Sequence, residues 1–540
     1  MASEPLAFFT VDHGTATTAA NLIGRVGGRF RLLASGAVPA AVPVDALLTD
    51  LAARVASIEP EFLAGSGWES LARLEAGSRV PGRIACIAAT ESRLAELEQA
   101  VGGAGWEIVL GAIPGRPDEL ALAGALLDRT LDAVAIASGS PPRGDERDTV
   151  RGLCDAVAPL LRRRSGVVVL LAGAAADHAE RFGELTVVTA PAPEPVAATA
   201  DTALRRAAEV LAHRVGQVSG RRDRLPDARA GFRSAIEALA TLLDRRVEGV
   251  DIGWTGGTRA LATPDGLRAS IIRSDAGLLP PASLTGDRRV DAVLRWSPLR
   301  GDTFAMRDRV RNLLLAPWRD AAGDGARLRL AAARAALTRL DHAWTAGTRR
   351  GAQAARAAPD VLVASGGAFA VAPAPAAALA LVDTLRRPGA TALFLDHARL
   401  LGPVGALGDT SDRRRLLADL LDDALVPLGT AILATDLRPG RNAGILRLTA
   451  NGIDTELELT TGSIQLVDLP PGVAGSAVIE TREGAWLGVR AKRFALDVTG
   501  GLGGLLVDTR DVPLRLPERS ERRREVIDAW ERPLWIGGEP

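Results

Sequence analysis

Phe9-Thr-Val-Asp12-His13-Gly14-Thr15-Ala-Thr17-Thr18 is followed by Ala19-Ala-Asn-Leu-Ile-Gly-Arg-Val, then Gly27-Gly28 and Arg-Phe-Arg-Leu-Leu. About 240 residues on, Gly249-Val-Asp251-Ile-Gly253-Trp254-Thr255-Gly256-Gly257-Thr258 runs into Arg-Ala-Leu-Ala-Thr, Pro264-Asp265-Gly266 and Leu-Arg-Ala-Ser-Ile-Ile-Arg. Both read as a short apolar strand ending in Asp-x-Gly, a small polar loop, a second strand, a glycine turn and a third strand. Glycine lets backbone approach a phosphate, and threonine hydroxyls and loop amides can then hold it. A carboxylate at the strand end can hold magnesium, directly or through its waters. Two such loops facing each other would clamp a metal-bound nucleotide. That assigns Gly14, Thr15, Thr17, Gly253, Thr255, Gly256 and Gly257 to phosphate binding, and Asp12 and Asp251 to metal holding and catalysis.

The paired loops resemble those of the actin-like, sugar-kinase-like ATPase superfamily, in which two related halves each supply one phosphate loop. The resemblance implies a third element, a strand running into Gly-Gly at the adenosine end. Asp360-Val-Leu-Val-Ala-Ser365-Gly366-Gly367-Ala-Phe fits it, and an alanine-rich helical pattern follows from about 373 to 385. Gly366 and Gly367 are therefore candidates for the adenosine floor. The implied fold is a two-lobed α/β, ribonuclease H-like ATPase, and the implied cofactors are ATP and Mg2+.

At 540 residues the chain is too long for one core and should hold three or four domains. Sixty-five basic residues offset 65 acidic ones, so no electrostatic surface for nucleic acid or an anionic membrane is expected. Lys492 is the one lysine, and there is no tyrosine. Cys86 and Cys154 sit in apolar segments without a partner motif, which points to core packing in a reducing cytoplasm. The amino terminus shows no basic region followed by a long apolar stretch, so no signal peptide is read. The stretch 366–382 is mostly alanine and carries two prolines, fitting a buried glycine-to-helix junction better than a membrane span.

Along the chain, residues 1–82 read as the first ATPase half, with a helix over 43–58. Over 83–215 continuous apolar strands such as Leu131-Asp-Ala-Val-Ala-Ile-Ala and Gly166-Val-Val-Val-Leu-Leu alternate with helical patterns. This predicts an inserted, doubly wound parallel layer continuing the first half. The loop Ser138-Gly139-Ser140 to Asp145 sits where such a layer could bind a ligand, but a plain surface loop made by its glycine and prolines is the expectation. A charged segment, 221–229, leads to a helix over 232–243. Residues 216–435 form the second half, with a helix-rich region at 307–357, a strand over 392–396, a loop over 397–409 and a helix over 414–425. Residues 436–540 show short alternating strands between glycine turns, then a charged helix over 518–530, predicting an antiparallel β domain.

Five histidines show no metal-ligand spacing. His13 alone lies inside a motif, where packing away from the phosphates is the expectation. Gly500-Gly501-Leu-Gly503-Gly504 loosely imitates a dinucleotide fingerprint, but no βαβ unit surrounds it and a turn or bulge is expected. Neither phosphate loop carries a lysine, so neutralisation falls to magnesium and arginine; Arg25 and Arg259 are nearest in sequence.

Residues 6–430 resemble the glutamate mutase L proteins. The most specific stretches are Asp360-Val-Leu-Val-Ala-Ser-Gly-Gly-Ala-Phe-Ala-Val-Ala-Pro and Ala392-Leu-Phe-Leu-Asp-His-Ala-Arg-Leu-Leu-Gly-Pro-Val-Gly-Ala-Leu. Within the inserted layer they are Asp132-Ala-Val-Ala-Ile-Ala-Ser-Gly-Ser and Gly166-Val-Val-Val-Leu-Leu-Ala-Gly. The resemblance implies a chaperone-like ATPase that assists or reactivates an adenosylcobalamin-dependent mutase. Trp254 departs from the pattern, standing where the family has a small residue, and so does the β-rich carboxyl-terminal region. Two other functions fit the same fold: a small-molecule kinase, and a nucleotide-binding scaffold without turnover.

Overall fold

A computed structural model describes residues 6–535 except 61, 63–66, 79, 115–118, 165, 197–198, 219–224, 279–286, 317–321, 347–357, 370–372 and 438–441. The expected charged segment at 221–224 and the end of the helical region at 347–357 lie outside the described residues.

Strands β1 (Ala7–His13), β2 (Thr17–Val26) and β3 (Arg29–Pro39), helix α1 (Val44–Ile58) and strand β4 (Ala72–Gly77) build the first lobe. Its sheet runs β3-β2-β1-β4, with β4 parallel to β1 and the hairpins antiparallel. Period-two alternation sends Phe9, Val11 and Leu22 against Leu48 and Leu51 of α1, and Phe8 and Ile23 to the opposite face.

The inserted layer holds β5 (Arg83–Ala88), α2 (Glu91–Gly103), β6 (Glu107–Ala112), α3 (Glu119–Leu127), β7 (Ala133–Ala137), α4 (Glu146–Arg162), β8 (Val168–Ala172), β9 (Val187–Ala190) and α5 (Ala203–Val218). Its order is β6-β5-β7-β8-β9, all parallel, with apolar cores on both faces, which is why β7 and β8 are apolar throughout. The loop after β7 is closed by its own chain. Ser138 Oγ accepts from Ala175 N at 3.2 Å, and a Cβ on Gly139 would lie 2.8 Å from the Glu146 carboxylate.

Helix α6 (Ala228–Leu243) opens the second lobe, capped by Asp227, which accepts from Arg229 N. Strands β10 (Val247–Ile252), β11 (Gly257–Thr263) and β12 (Gly266–Arg273) follow, then helices α7 (Asp287–Leu294), α8 (Thr303–Leu315) and α9 (Gly323–Thr345). After them come β13 (Val361–Ser365), α10 (Ala374–Thr384), β14 (Gly389–Asp396), α11 (Leu401–Gly405), α12 (Thr410–Ala424) and β15 (Val426–Leu433). The expected loop over 397–409 thus contains α11. The sheet begins β12-β11-β10-β13, repeating the order and strand directions of the first lobe. Asp12 pairs with Ala19 across the first hairpin and Asp251 with Thr258 across the second, seven residues on in both.

The remaining elements are β16 (Asn442–Ala450), β17 (Ile453–Thr460), β18 (Ile464–Val467), β19 (Ala474–Trp486), β20 (Arg490–Thr499), β21 (Leu505–Asp508) and α13 (Ser520–Glu531). Four of these strands form an antiparallel sheet, β17-β16-β19-β20, as expected. The boundary at 436 is blurred, however, because β21 and β18 extend the second-lobe sheet beyond β15. Strands as short as these two, four residues each, do not show from sequence which sheet they join. The glycines at 500–504 serve this junction: a Cβ on Gly501 would lie 2.2 Å from Gly429 N, so they allow close backbone packing.

The two lobes share a helical layer. Phe8, Ile23 and Phe30 of the first sheet and Val247, Ala260 and Val363 of the second pack against α6, α11 and α12 in one core. The other face of the second sheet packs on α9 and α10. This is the actin-like two-lobed α/β fold, with an inserted doubly wound layer and a carboxyl-terminal antiparallel sheet. No helix among the described residues is long and apolar enough to cross a membrane.

Candidate functional site

Where β1 and β10 end, the two hairpin tips face one another across a cleft that opens to solvent. Ten of the eleven candidate residues line it: Asp12, Gly14, Thr15, Thr17, Asp251, Gly253, Thr255, Gly256, Gly366 and Gly367. Gly257 does not; it is the first residue of β11, packed against the Ala276 carbonyl.

Each tip is shaped by local backbone demands. Gly14 N donates to the Asp12 carbonyl at 3.1 Å, and a Cβ on Gly14 would come within 2.5 Å of the Thr17 carbonyl. In the second tip Gly253 N donates to Gly256 O at 3.0 Å. The tips touch through Thr15 Oγ1 and Thr255 Oγ1, 3.2 Å apart. Gly366 has a φ of +94°, and a Cβ there would fall 2.3 Å from Ile252 O and 2.5 Å from Asp251 Oδ1. Its glycine therefore answers to the neighbouring strand. Gly367 differs, since its Cβ would meet only Thr17 Oγ1, at 3.9 Å, and it faces the open cleft. Trp254 lines the cleft and packs against the second-lobe core.

Two carboxylates, Asp12 and Asp251, line the cleft, and a third, Asp396, lies near enough to act on both electrostatically. Burial raises Asp12, partly offset by the charges of Arg399 and His13. Asp251 is pushed up to about 7, first by burial and next by the negative charge of Asp12. Asp396, at the end of β14, is pushed up to about 6 by burial, although Leu400 N (2.8 Å), Leu401 N (3.1 Å) and Ser365 Oγ (2.9 Å) all donate to it. Asp12 Oδ1 is buried without a hydrogen-bond partner. A buried oxygen lacking a donor, beside a second carboxylate that repels it, fits a divalent cation. Among the described residues no three His, Cys, Asp or Glu gather as a metal cage. Magnesium suits such a place, because it takes one or two carboxylates and completes its shell with water and phosphate oxygens.

The nearby cations are Arg229, Arg329 and Arg399, all lining the cleft. Arg229 lies in the first turn of α6, beside the second tip, where a Cβ on Gly256 would be 2.9 Å from its Nη2. Arg399 sits on the first tip. The two arginines nearest in sequence lie elsewhere. Arg25 is on the surface, donating to Gly28 O, and Arg259 is fully buried, bound to Glu248 (2.6 Å) and Asp341 (2.8 Å). Sequence proximity to a loop says nothing about residues that reach it from another strand end. His13 does not line the cleft; its Nε2 stands 3.6 Å from Glu75 on the neighbouring strand.

No family model matches the chain, and neither does any curated protein. Among solved structures, the chain is similar to acetone carboxylase in a nucleotide-free form (11% identity, 84% of this chain and 80% of that one, TM-score 0.28). It is also similar to a Ppx/GppA family protein of Aquifex aeolicus (9% identity, 78% and 92%, TM-score 0.20) and to acetate kinase from Entamoeba histolytica (9% identity, 70% and 86%, TM-score 0.20). The fold assignment rests on the repeated strand order described above.

Proposed function

We propose that the cleft binds magnesium-ATP and that the protein is a nucleotide-driven accessory ATPase acting on a client enzyme. The observation carrying this reading is the internal repeat. Two sheets of the same order present Asp12 and Asp251 at equivalent positions, on facing loops of glycine and threonine. Asp12 and Asp251 would hold the metal, Thr15, Thr17 and Thr255 the phosphates, and Gly367 the adenosine side. Bound magnesium would supply positive charge to the phosphate oxygens. The chain's own part is to orient them, with hydroxyls and amides on both tips, and to present the Asp12 and Asp251 carboxylates from the two lobes.

Titration calorimetry with magnesium-ATP tests this. Asp12→Asn and Asp251→Asn should each weaken binding at least about tenfold while leaving adenosine binding unchanged. Unchanged magnesium-ATP affinity in both variants would sink the assignment. The client suggested by the glutamate mutase L resemblance is an adenosylcobalamin-dependent mutase, and nucleotide-dependent capture of such subunits tests it. A small-molecule kinase is the second reading, in which Asp12 alone would hold the metal and Asp251, lining the same cleft, would serve as general base to a substrate hydroxyl. Metabolite-dependent ADP release would select that reading, and tight binding without turnover would select a scaffold.

A further inference from the structure

The chain's lone lysine, Lys492, lies in β20 of the antiparallel sheet, so both tips offer hydroxyls and amides but no ammonium group. Arg399 takes that position on the first tip. Its Nη1 donates to the Thr17 carbonyl at 3.3 Å and meets the Thr17 hydroxyl at 3.1 Å, and it stands 3.6 Å from Asp12 Oδ2. The backbone that aims it is left-handed, with a φ of +56°, a conformation that costs a non-glycine residue energy. Such strain persists where the surroundings over-determine it, often at functional sites. Here they do so from both lobes. Asp396 accepts from Leu400 N and Leu401 N and, through its carbonyl, from Arg399 N at 3.3 Å. From the first lobe, Asn21 of β2 donates to the Ala398 carbonyl at 3.0 Å.

We infer that Arg399 is the exchangeable cation of this site: it covers Asp12 while no metal is bound, and turns to the phosphate oxygens once Asp12 holds magnesium. This rests on the magnesium-ATP reading given above. Asp12 cannot serve both cations at once, since a metal ion on the carboxylate repels a guanidinium a few ångströms away. The existing pair is also loose. A close charge-assisted contact is about 2.7–2.9 Å, whereas this one is 3.6 Å and leaves Asp12 Oδ1 without a hydrogen-bond partner. A guanidinium displaced from Asp12 keeps a planar fork of donors that matches phosphate oxygens. It is also well placed for them, because the Thr17 hydroxyl it holds is the atom nearest a Cβ on Gly367, between the first tip and the Gly-Gly turn.

The exchange predicts effects of opposite sign on two ligands. Arg399→Gly removes the cation and suits the left-handed backbone, so the fold should survive, as thermal denaturation would show; Arg399→Gln controls for the side-chain stem. Both variants should bind magnesium-ATP at least about tenfold more weakly than wild type, with adenosine binding unchanged. Both should bind Mn2+ alone several-fold more tightly, because Asp12 is released; electron paramagnetic resonance of free Mn2+ reads this. Undiminished magnesium-ATP binding in Arg399→Gly overturns the inference while leaving the nucleotide reading intact. Parallel losses for Mn2+ and magnesium-ATP also overturn it, showing that Arg399 merely shapes the cleft. Failure of the wild type to bind magnesium-ATP overturns both.

Discussion

Asp251 is buried and lies in the field of two other carboxylates, Asp12 and Asp396, so its folded-state pKa of about 7 is far above that of an exposed aspartate. The folded chain therefore holds a proton that the unfolded chain gives up. Stability is unpenalised below the unfolded value near 4 and falls as pH rises from there through about 7. Asp251→Asn removes the charge, so it should raise Tm by several degrees at pH 8 and change little at pH 4, as paired thermal melts will show. Equal shifts at both pH values would mean that the substitution acts through packing. At Gly366 the effect is steric. Any side chain meets Ile252 O at 2.3 Å and an unfavourable φ, so Gly366→Ala should fail to fold or melt far earlier, whereas Gly367→Ala should fold normally. Circular dichroism melts of the two variants check this. These glycines were legible in the sequence because motif spacing marks them. Arg399 was not, since nothing local to it announces a left-handed backbone or a contact with a hairpin some 380 residues earlier.

Among the elements, the phosphate hairpins and the parallel strands were legible because each carries its own period and its own turn residues. Membership was harder to read. β18 is only four residues long and β21, also four residues, is buried throughout, so neither shows enough pattern to assign it to a sheet, and α13 reads from sequence as a charged helix. In the fold α13 is anchored from below: the Glu531 carboxylate is fully buried between Arg327 (3.1 Å) and Arg334. Arg334 also holds Asp383 of α10 at 2.8 Å, and Asp383 in turn holds Arg510 at 2.7 Å. Such a network is costly to break because it leaves buried charge uncompensated. Glu531→Ala should cost about 3–5 kcal/mol, while Arg522→Ala, which removes an exposed pair with Glu525, should stay within about 0.5 kcal/mol. Urea unfolding followed by tryptophan fluorescence would separate the two, with Trp530 stacked 4.3 Å from Arg510 as the local reporter. Comparable losses in both variants would show that α13 is held by something other than this network.

For the whole molecule, the inserted layer continues the first lobe in the chain but docks on the second. Its linkers run side by side, with Gly77 N donating to Pro226 O at 2.9 Å. Beyond them Ala104 pairs with Ile272 of β12, Ser274 Oγ donates to the Trp106 carbonyl at 3.0 Å, and Arg233 of α6 meets Glu209 of α5 at 3.0 Å. The turn over 102–106 thus covers an edge strand that would otherwise offer an open row of backbone groups. Arg229 joins this contact to the cleft, since its guanidinium lies near both Gly256 of the second tip and Gly105 of the insert. Magnesium-ATP, by drawing on the second tip, should stiffen the turn over 102–106 and the segment over 270–276 together, which hydrogen exchange measured with and without nucleotide will show. Gly105→Val adds a Cβ within 2.8 Å of Ile272 on a backbone of φ +92°, so it should loosen the docking and abolish that shared protection while the tips still bind nucleotide. By linkage, were the proposed client to bind the insert, its influence on nucleotide affinity should be lost in this variant, a coupling typically worth about 1–3 kcal/mol. Protection confined to 270–276 in the wild type would show instead that the insert rides on the second lobe without sensing the cleft.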